Sequence, residues 1–186
     1  MKKFEFIFRK IVKQRGIRIL TTFFLAIFPS HSLKVFAQLL MLSSILPHDI
    51  ERGDDEIILQ YPIRKLELFF FEFLTGSLFM IIAEFLSISL LKSHLNMHWK
   101  IFIFSRDIST LPYIYGISML SAMYLKSSFI VPFILLIVDG LFCETAWRYI
   151  SPVNAQTIWG FLIGLGIFTL AFVLYANPTR ERGEVE

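Results

Sequence analysis

The sequence predicts an all-α fold, a polytopic transmembrane bundle of about six spans. Hydrophobic residues make up 55% of the 186 positions, Phe alone accounts for 21 of them, and mean hydropathy is +0.64. A soluble domain of this size cannot bury so much apolar surface, so much of the surface needs lipid around it. Apolar stretches near the spanning length of about 20 residues cover residues 67–91, 108–125, 127–143 and 156–176.

Residues 1–16 are predicted to form an interfacial helix. Phe4, Ile7, Phe8 and Ile11 recur at helical spacing, and most of the charged residues of this segment fall on the opposite face. A basic amphipathic helix of this kind lies along the headgroup layer. We therefore expect it on the cytoplasmic leaflet.

Residues 17–46 are predicted to form a short helical hairpin. Ile17–Phe28 and Leu33–Leu46 are both apolar, and Pro29, Ser30, His31 and Ser32 separate them. Each run reaches only about 18 to 21 Å as a helix, short of a bilayer core. A tight turn makes two helices and gives about six spans, whereas one bent helix gives about five.

The distribution of charge sets the expected orientation. With six spans and both termini inside, 13 of the 18 Lys and Arg residues face the cytoplasm. With five spans and the N-terminus inside, 11 of the 18 do, so both arrangements satisfy the positive-inside bias. We expect one multi-pass domain over residues 1–186 in the plasma membrane, with cytoplasmic termini. The net charge is only +3, and the Lys and Arg residues cluster near the predicted span boundaries. We therefore expect no nucleic-acid partner.

Polar segments separate the predicted spans. Residues 47–56 are predicted to form a polar loop, and residues 92–107 an interfacial loop. The short turn at Lys126–Ser128 predicts that the helices on either side of it are antiparallel neighbours.

Residues 54–66 are predicted to couple the bundle to a soluble protein. An acidic start leads into a short amphipathic stretch, which breaks at Pro62 and enters a long apolar helix behind Arg64 and Lys65. Acidic residues near a helix start and Pro in the first turn both favour helix formation. A short surface helix joined rigidly to a span can transmit force, although an ordinary loop with a helix start gives the same pattern.

Residues 51–76 resemble the cytoplasmic coupling region of type-2 ABC exporter permeases. An acidic Glu-Arg-Gly turn precedes a Leu-x-x-Pro-Ile-Arg element formed by residues 59–64, and a span follows it. Tyr149-Ile-Ser-Pro before the last span, and Arg180 and Arg182 after it, are similar to further elements of that family. Glu72 departs from the family, which usually has Gly-Lys near this position.

The resemblance implies that the chain is the membrane-spanning permease subunit of an ATP-driven exporter. No G-x-x-x-x-G-K-[ST] element occurs in the sequence, so ATP and Mg would belong to a separate ATPase subunit. A second permease chain, identical or related, would complete a dimer. The permease itself would be no enzyme and would hold no cofactor. The residues implied to contact the ATPase are Glu56, Leu59, Tyr61, Pro62, Ile63 and Arg64.

Two acidic residues within the apolar stretches are candidates for a translocation pathway. Buried acids in a membrane are costly and tend to face a bundle interior. Glu84 and Asp139 therefore either line a pathway or pair with a cation on a neighbouring helix. The alternative places them near an interface, satisfied by backbone and hydroxyl groups. Glu72, a turn or two after Lys65, is expected near the interface.

The remaining features predict packing and headgroup contact. His94 and His98 share a helix face, but without a third ligand they predict headgroup contact and no metal site. Gly160-x-x-x-Gly164 predicts close helix packing, within the chain or across a dimer. The phenylalanines at 69–73 are expected to face lipid.

Three other functional classes fit the same composition. An ATP-independent small transporter would need paired intramembrane charges or broken helices. A membrane-embedded enzyme would need catalytic groups that converge on one point, whereas the sequence shows scattered ones. A small scaffold or immunity protein would need neither feature.

Overall fold

The computed structural model describes residues 2–59, 63–92, 94–142, 149–153 and 158–177. These ranges are mostly helical and contain no strand, which confirms the all-α part of the predicted fold class. Their nine helices are α1 (Lys2–Ile27), α2 (His31–Ser43), α3 (Leu46–Arg52), α4 (Asp54–Leu59), α5 (Lys65–Leu90), α6 (Met97–Ser109), α7 (Leu111–Leu125), α8 (Ile130–Leu141) and α9 (Ile158–Ala176).

Helix α1 and the pair α2–α3 form a hairpin that is longer than the predicted one. Across the two arms, Thr22 Oγ1 lies 3.8 Å from Met41 Sδ, so the turn at residues 28–30 reverses the chain. The boundary expected at residue 16 is absent, because α1 continues without a break from Lys2 to Ile27. Gly16 is the weakest helix former in this region, and one glycine costs only about 1 kcal/mol.

Residues 47–56 are helical, so the prediction of a polar loop was wrong. Pro47 stands in the first turn of α3, Arg52 lies in its last turn, and Gly53 ends it with a φ of 74°. α4 begins immediately afterwards. The interfacial loop predicted at 92–107 is also largely helical, because the Asn96 side chain accepts a hydrogen bond from Trp99 N (3.1 Å) and so caps α6.

Helices α5 and α9 are the longest apolar elements. α5 has 26 residues and α9 has 19, which correspond to about 39 and 28 Å. Within the described ranges, these are the two helices whose length and composition are sufficient to cross a bilayer, and α8 is a shorter apolar helix.

Helix α7 is the centre of the bundle. Eleven of its 15 residues are buried, and it contacts α2, α3, α8 and α9. A turn at Lys126, with a φ of 48°, joins it to α8, so the two helices are neighbours as predicted. A Cβ at Gly116 would lie 2.9 Å from Phe168 N, and one at Gly164 would lie 3.1 Å from Tyr113 Cβ. The glycines therefore permit close packing of α7 and α9 within the chain.

An aromatic cluster fills the space between α5, α7 and α9. The Phe69 ring is completely buried, and its centroid lies 5.1 Å from those of Tyr115 and Phe168. The expectation that Phe69 faces lipid was therefore wrong, although Phe70 beside it is 41% exposed. Helical periodicity explains the difference, because adjacent positions lie on different faces of α5.

Candidate functional site

The predicted coupling segment includes a short helix, α4, which precedes α5, one of the two 26-residue helices among the described residues. Leu59, at the end of α4, is partly buried against the core, and Ile63 is 7% exposed. Arg64 is exposed and precedes the first turn of α5, where its backbone N–H donates to Glu67 Oε2 (3.1 Å). The Glu56 side chain, Tyr61 and Pro62 lie outside the described part of the chain.

Two sets of buried ionisable groups lie at different levels of α5. Glu72 belongs to one set and Glu84 to the other, and twelve positions separate these two residues on the helix, a rise of about 18 Å. Both acids contact lysines of the N-terminal hairpin. Each set therefore ties α5 to the hairpin, and each is named below after its lysine.

The Lys10 cluster lies at the end of the bundle that carries α4. Lys10 Nζ is 2.5 Å from Asp49 Oδ2 and 2.9 Å from Glu72 Oε1, and Arg15 pairs with the other oxygen of Asp49. Their side chains are at most 11% exposed. Two cations thus balance two carboxylates, which offsets part of the cost of burying them. Glu72, expected near the interface, is completely buried in the bundle.

The Lys34 cluster lies near the turn of the hairpin. Lys34 Nζ contacts a carboxylate oxygen of Glu84 and lies 3.3 Å from Asp107 Oδ2. Asp107 Oδ1 accepts a hydrogen bond from Arg106 Nε (3.0 Å) and lies 2.9 Å from His31 Nδ1. Lys34 and both carboxylates are at most 6% exposed. Glu84 therefore pairs with a cation on another helix, which was one of its two predicted roles.

The Lys34 cluster concentrates charge at this end of the bundle, where Asp107 contacts Lys34, Arg106 and His31. Burial, followed by repulsion from Lys34, lowers the pKa of Lys92 at the same end of the bundle.

A series of hydrogen bonds connects the Lys34 cluster to Asp139. His31 Nε2 lies 3.1 Å from the Val153 carbonyl oxygen, and the Val153 N–H donates to Ser151 Oγ (3.2 Å). The Ser151 hydroxyl in turn donates to Asp139 Oδ2 (2.6 Å). The two predicted pathway residues, Glu84 and Asp139, thus belong to one polar network that crosses from α5 to α8.

Some carboxylate oxygens within these clusters retain hydrogen-bonding capacity. Glu84 Oε1 and Glu72 Oε2 are buried and have no hydrogen-bond partner. A buried oxygen of this kind is a site where a carboxyl group can take up a proton. Chemically, the Lys34 cluster can hold charge inside an apolar bundle and accept a proton at Glu84.

The histidines predicted to contact headgroups are both exposed. His94 precedes α6 and His98 lies in its first turn. Across the described residues, no group of three or more His, Cys, Asp or Glu side chains is placed to hold a metal ion. Tyr149 is 67% exposed, and Ser151, two positions later, is buried in the network.

Of the four acids in these clusters, the sequence predicts a buried ion pair only for Glu84; it places Glu72 near the interface, and Asp49 and Asp107 in loops. Lys10 was assigned to the polar face of an interfacial helix, and Asp107 to a loop. The pairs are far apart in sequence, with 62 positions between Lys10 and Glu72 and 73 between Lys34 and Asp107. The available signal was the presence of acids and lysines in otherwise apolar helices, because such groups require partners.

Comparisons with known protein families, with curated proteins and with solved structures find no match.

Proposed function

We propose that this chain is the membrane-spanning permease subunit of an ATP-driven exporter. A separate ATPase subunit hydrolyses ATP, a second permease chain completes the pathway, and this chain carries out no chemistry of its own. The arrangement of residues on α5 carries the membrane part of the proposal. Its exposed face is formed by large apolar residues (Leu66, Phe70, Leu74, Leu78, Ile82 and Phe85).

The buried face of α5 is the more polar one. Glu72 and Glu84 are at most 5% exposed, and Thr75, Ser77 and Ser87 are buried with them. α8 has the same arrangement, because its acidic residue Asp139 is buried while the apolar residues Ile134 and Ile137 are about half exposed. Water-soluble proteins place charges outside, whereas a bundle in lipid places them inside.

We propose six spans for this chain. We assign them to α1, to α2 with α3, to α5, to α6 with α7, to α8 and to α9. Both termini and α4 then lie on the cytoplasmic side, and the Lys34 cluster lies in the outer half of the bundle. α8 has 12 residues and reaches only about 18 Å. We therefore assign it to a region where the bilayer is thinned or where neighbouring helices shield the chain from lipid.

The coupling role rests on what α4 contacts. α4 packs against α3, and the Lys10 cluster joins α3, through Asp49, to α1 and α5. A force applied to α4 therefore reaches three helices through buried contacts. ATP-driven closure of two ATPases would tilt these helices and open the pathway.

Genetic context and co-purification test the proposal: a gene for a Walker-type ATPase should lie beside this one, and its product should co-purify with this chain. Replacing Leu59, Pro62 and Arg64 with Ala in one triple variant should abolish both co-purification of the ATPase and ATP-dependent transport. The matched control replaces three exposed residues beyond the other end of α5, Leu91, His94 and His98, with Ala. This control should retain both co-purification and transport. A coupling variant that binds its ATPase and transports normally would refute the proposal.

An ATP-independent, proton-coupled transporter is the second candidate. The observation in its favour is the hydrogen-bonded series from Glu84 to Asp139, together with the buried Glu84 Oε1. Purified protein in sealed vesicles separates the two candidates. Solute uptake driven by a pH gradient without any ATPase would favour this second function, and transport that requires both ATPase and ATP would favour the first.

A further inference from the structure

Positive charge exceeds negative charge around the Lys34 cluster. Among the described residues, Lys34 and Arg106 of the cluster and Lys92 beside it are three cations, whereas Glu84 and Asp107 are two carboxylates. The cluster at the other end of α5 is balanced, because two cations face two carboxylates there. An uncompensated charge is costly inside an apolar bundle. The surroundings of Lys34 therefore lack one negative charge.

Lys92 is the cation that has no carboxylate of its own. It is only 9% exposed, and it lies two positions after the end of α5 at Leu90. Lys34 contacts both carboxylates, and Arg106 contacts Asp107. Within the described ranges, no carboxylate forms an ion pair with Lys92, although Glu84 and Asp107 attract it from a distance. Burial, and then repulsion from Lys34, lower the pKa of Lys92, so the chain compensates its charge poorly.

The surroundings of Lys92 favour an anion that is attached to an apolar chain. Leu90 is 66% exposed and Leu91 is 45% exposed, so apolar surface borders the ammonium group. An ammonium group donates hydrogen bonds and accepts none, which suits the oxygens of a phosphate group. A phosphodiester carries a single negative charge, and this is the charge that the cluster lacks.

We propose that Lys92, together with the Lys34 cluster, binds a phosphate group, and that Leu90 and Leu91 make an anionic phospholipid its source. Lys92 donates to the phosphate oxygens, and Lys34 and Arg106 add attraction at longer range. The site is a property of this chain alone, whereas its place in the outer leaflet rests on the proposed function. Soluble phosphate offers the same oxygens and is the second source of this chemistry.

Melting temperatures of the purified full-length chain in a neutral detergent test this proposal. Dioleoylphosphatidylglycerol should raise the melting temperature saturably, by about 4 °C or more, because a ligand that binds the folded state stabilises it. Dioleoylphosphatidylcholine has the same acyl chains and no net charge, so its effect should be much smaller. Inorganic phosphate should have little effect beyond that of chloride at equal ionic strength. A saturable rise with inorganic phosphate equal to that with phosphatidylglycerol would overturn the lipid as the source and retain the phosphate site.

Variants of Lys92 connect the response to this site. Lys92→Gln removes the charge and should abolish the response to phosphatidylglycerol. Without lipid, this variant should melt at or above the wild-type temperature, because Lys92 has no ion pair to lose. Lys92→Arg keeps the charge and should respond as the wild type does. The control Lys13→Gln removes the same charge at an exposed position on α1 and should also respond fully.

The proposal is overturned if the two lipids act equally, if neither lipid nor phosphate acts saturably, or if Lys92→Gln responds as the wild type does. A Lys92→Gln variant that melts well below the wild type without lipid would also overturn it, because Lys92 would then stabilise the chain without a ligand. No ATPase is present in this experiment. A negative result therefore leaves the coupling function standing, and loss of ATPase co-purification would leave a positive binding result standing.

Discussion

The ammonium group of Lys34 meets the carboxylate of Glu84 inside the bundle, where neither side chain is more than 6% exposed. The contact joins the second arm of the hairpin to α5 near the turn of the hairpin. The Lys10 cluster makes the corresponding connection at the other end of α5. The hairpin is thus attached to α5 by buried charge at two levels.

Lys34→Met should destabilise the protein strongly. The substitution leaves Glu84 and Asp107 buried without their shared cation, a loss of about 3 to 5 kcal/mol. Adding Glu84→Gln should recover part of that loss, because it removes one of the uncompensated charges. Thermal unfolding of the detergent-solubilised protein measures both effects. Lys13→Met, at an exposed position, is the control and should change stability by less than about 0.5 kcal/mol.

Gly116→Ala should destabilise the packing of α7 against α9. Its methyl group would lie 2.9 Å from the Phe168 backbone nitrogen, and backbone on both helices would have to shift, at a cost of about 1 to 3 kcal/mol. Gly166→Ala meets nothing within 4 Å and should be neutral or stabilising by up to about 1 kcal/mol. Equal melting temperatures for the two variants would contradict the close α7–α9 contact.

Asp107→Asn should destabilise the protein. The substitution removes a buried carboxylate that contacts Lys34, Arg106 and His31, and the loss of one partner from a buried ion pair costs about 3 to 5 kcal/mol. Melting temperatures of the detergent-solubilised wild type and variant measure the difference, and equal values would contradict the ion pairs.

Apolar periodicity and local helix signals predict much of the fold, but not the tertiary partners of the charges. The hairpin turn, α5 and α9 follow from apolar length and breaks, and burial of Glu84 and Asp139 follows from the cost of acids in apolar helices. Polar composition predicts loops at residues 47–56 and 92–107. The capping residues Gly53 and Asn96 are the local signals that favour the helices found there.

The contacts of the clusters depend on how distant helices pack. Lys10 and Asp49 look like surface residues in sequence, because each lies in a polar stretch. Only the hairpin brings them together and places Glu72 beside them. The coupling segment depends on the same packing, because α4 contacts α3, which carries Asp49 of the Lys10 cluster.

Labelling of single cysteines from either side of the membrane is the most direct test of the six-span arrangement. In a Cys143→Ser background, Asp54→Cys and His94→Cys place thiols at exposed positions beyond opposite ends of α5. A membrane-impermeant maleimide should label position 94 in intact cells and position 54 only after permeabilisation. Labelling of both positions from the same side, or of position 54 alone in intact cells, would contradict a membrane-spanning α5 with a cytoplasmic coupling segment.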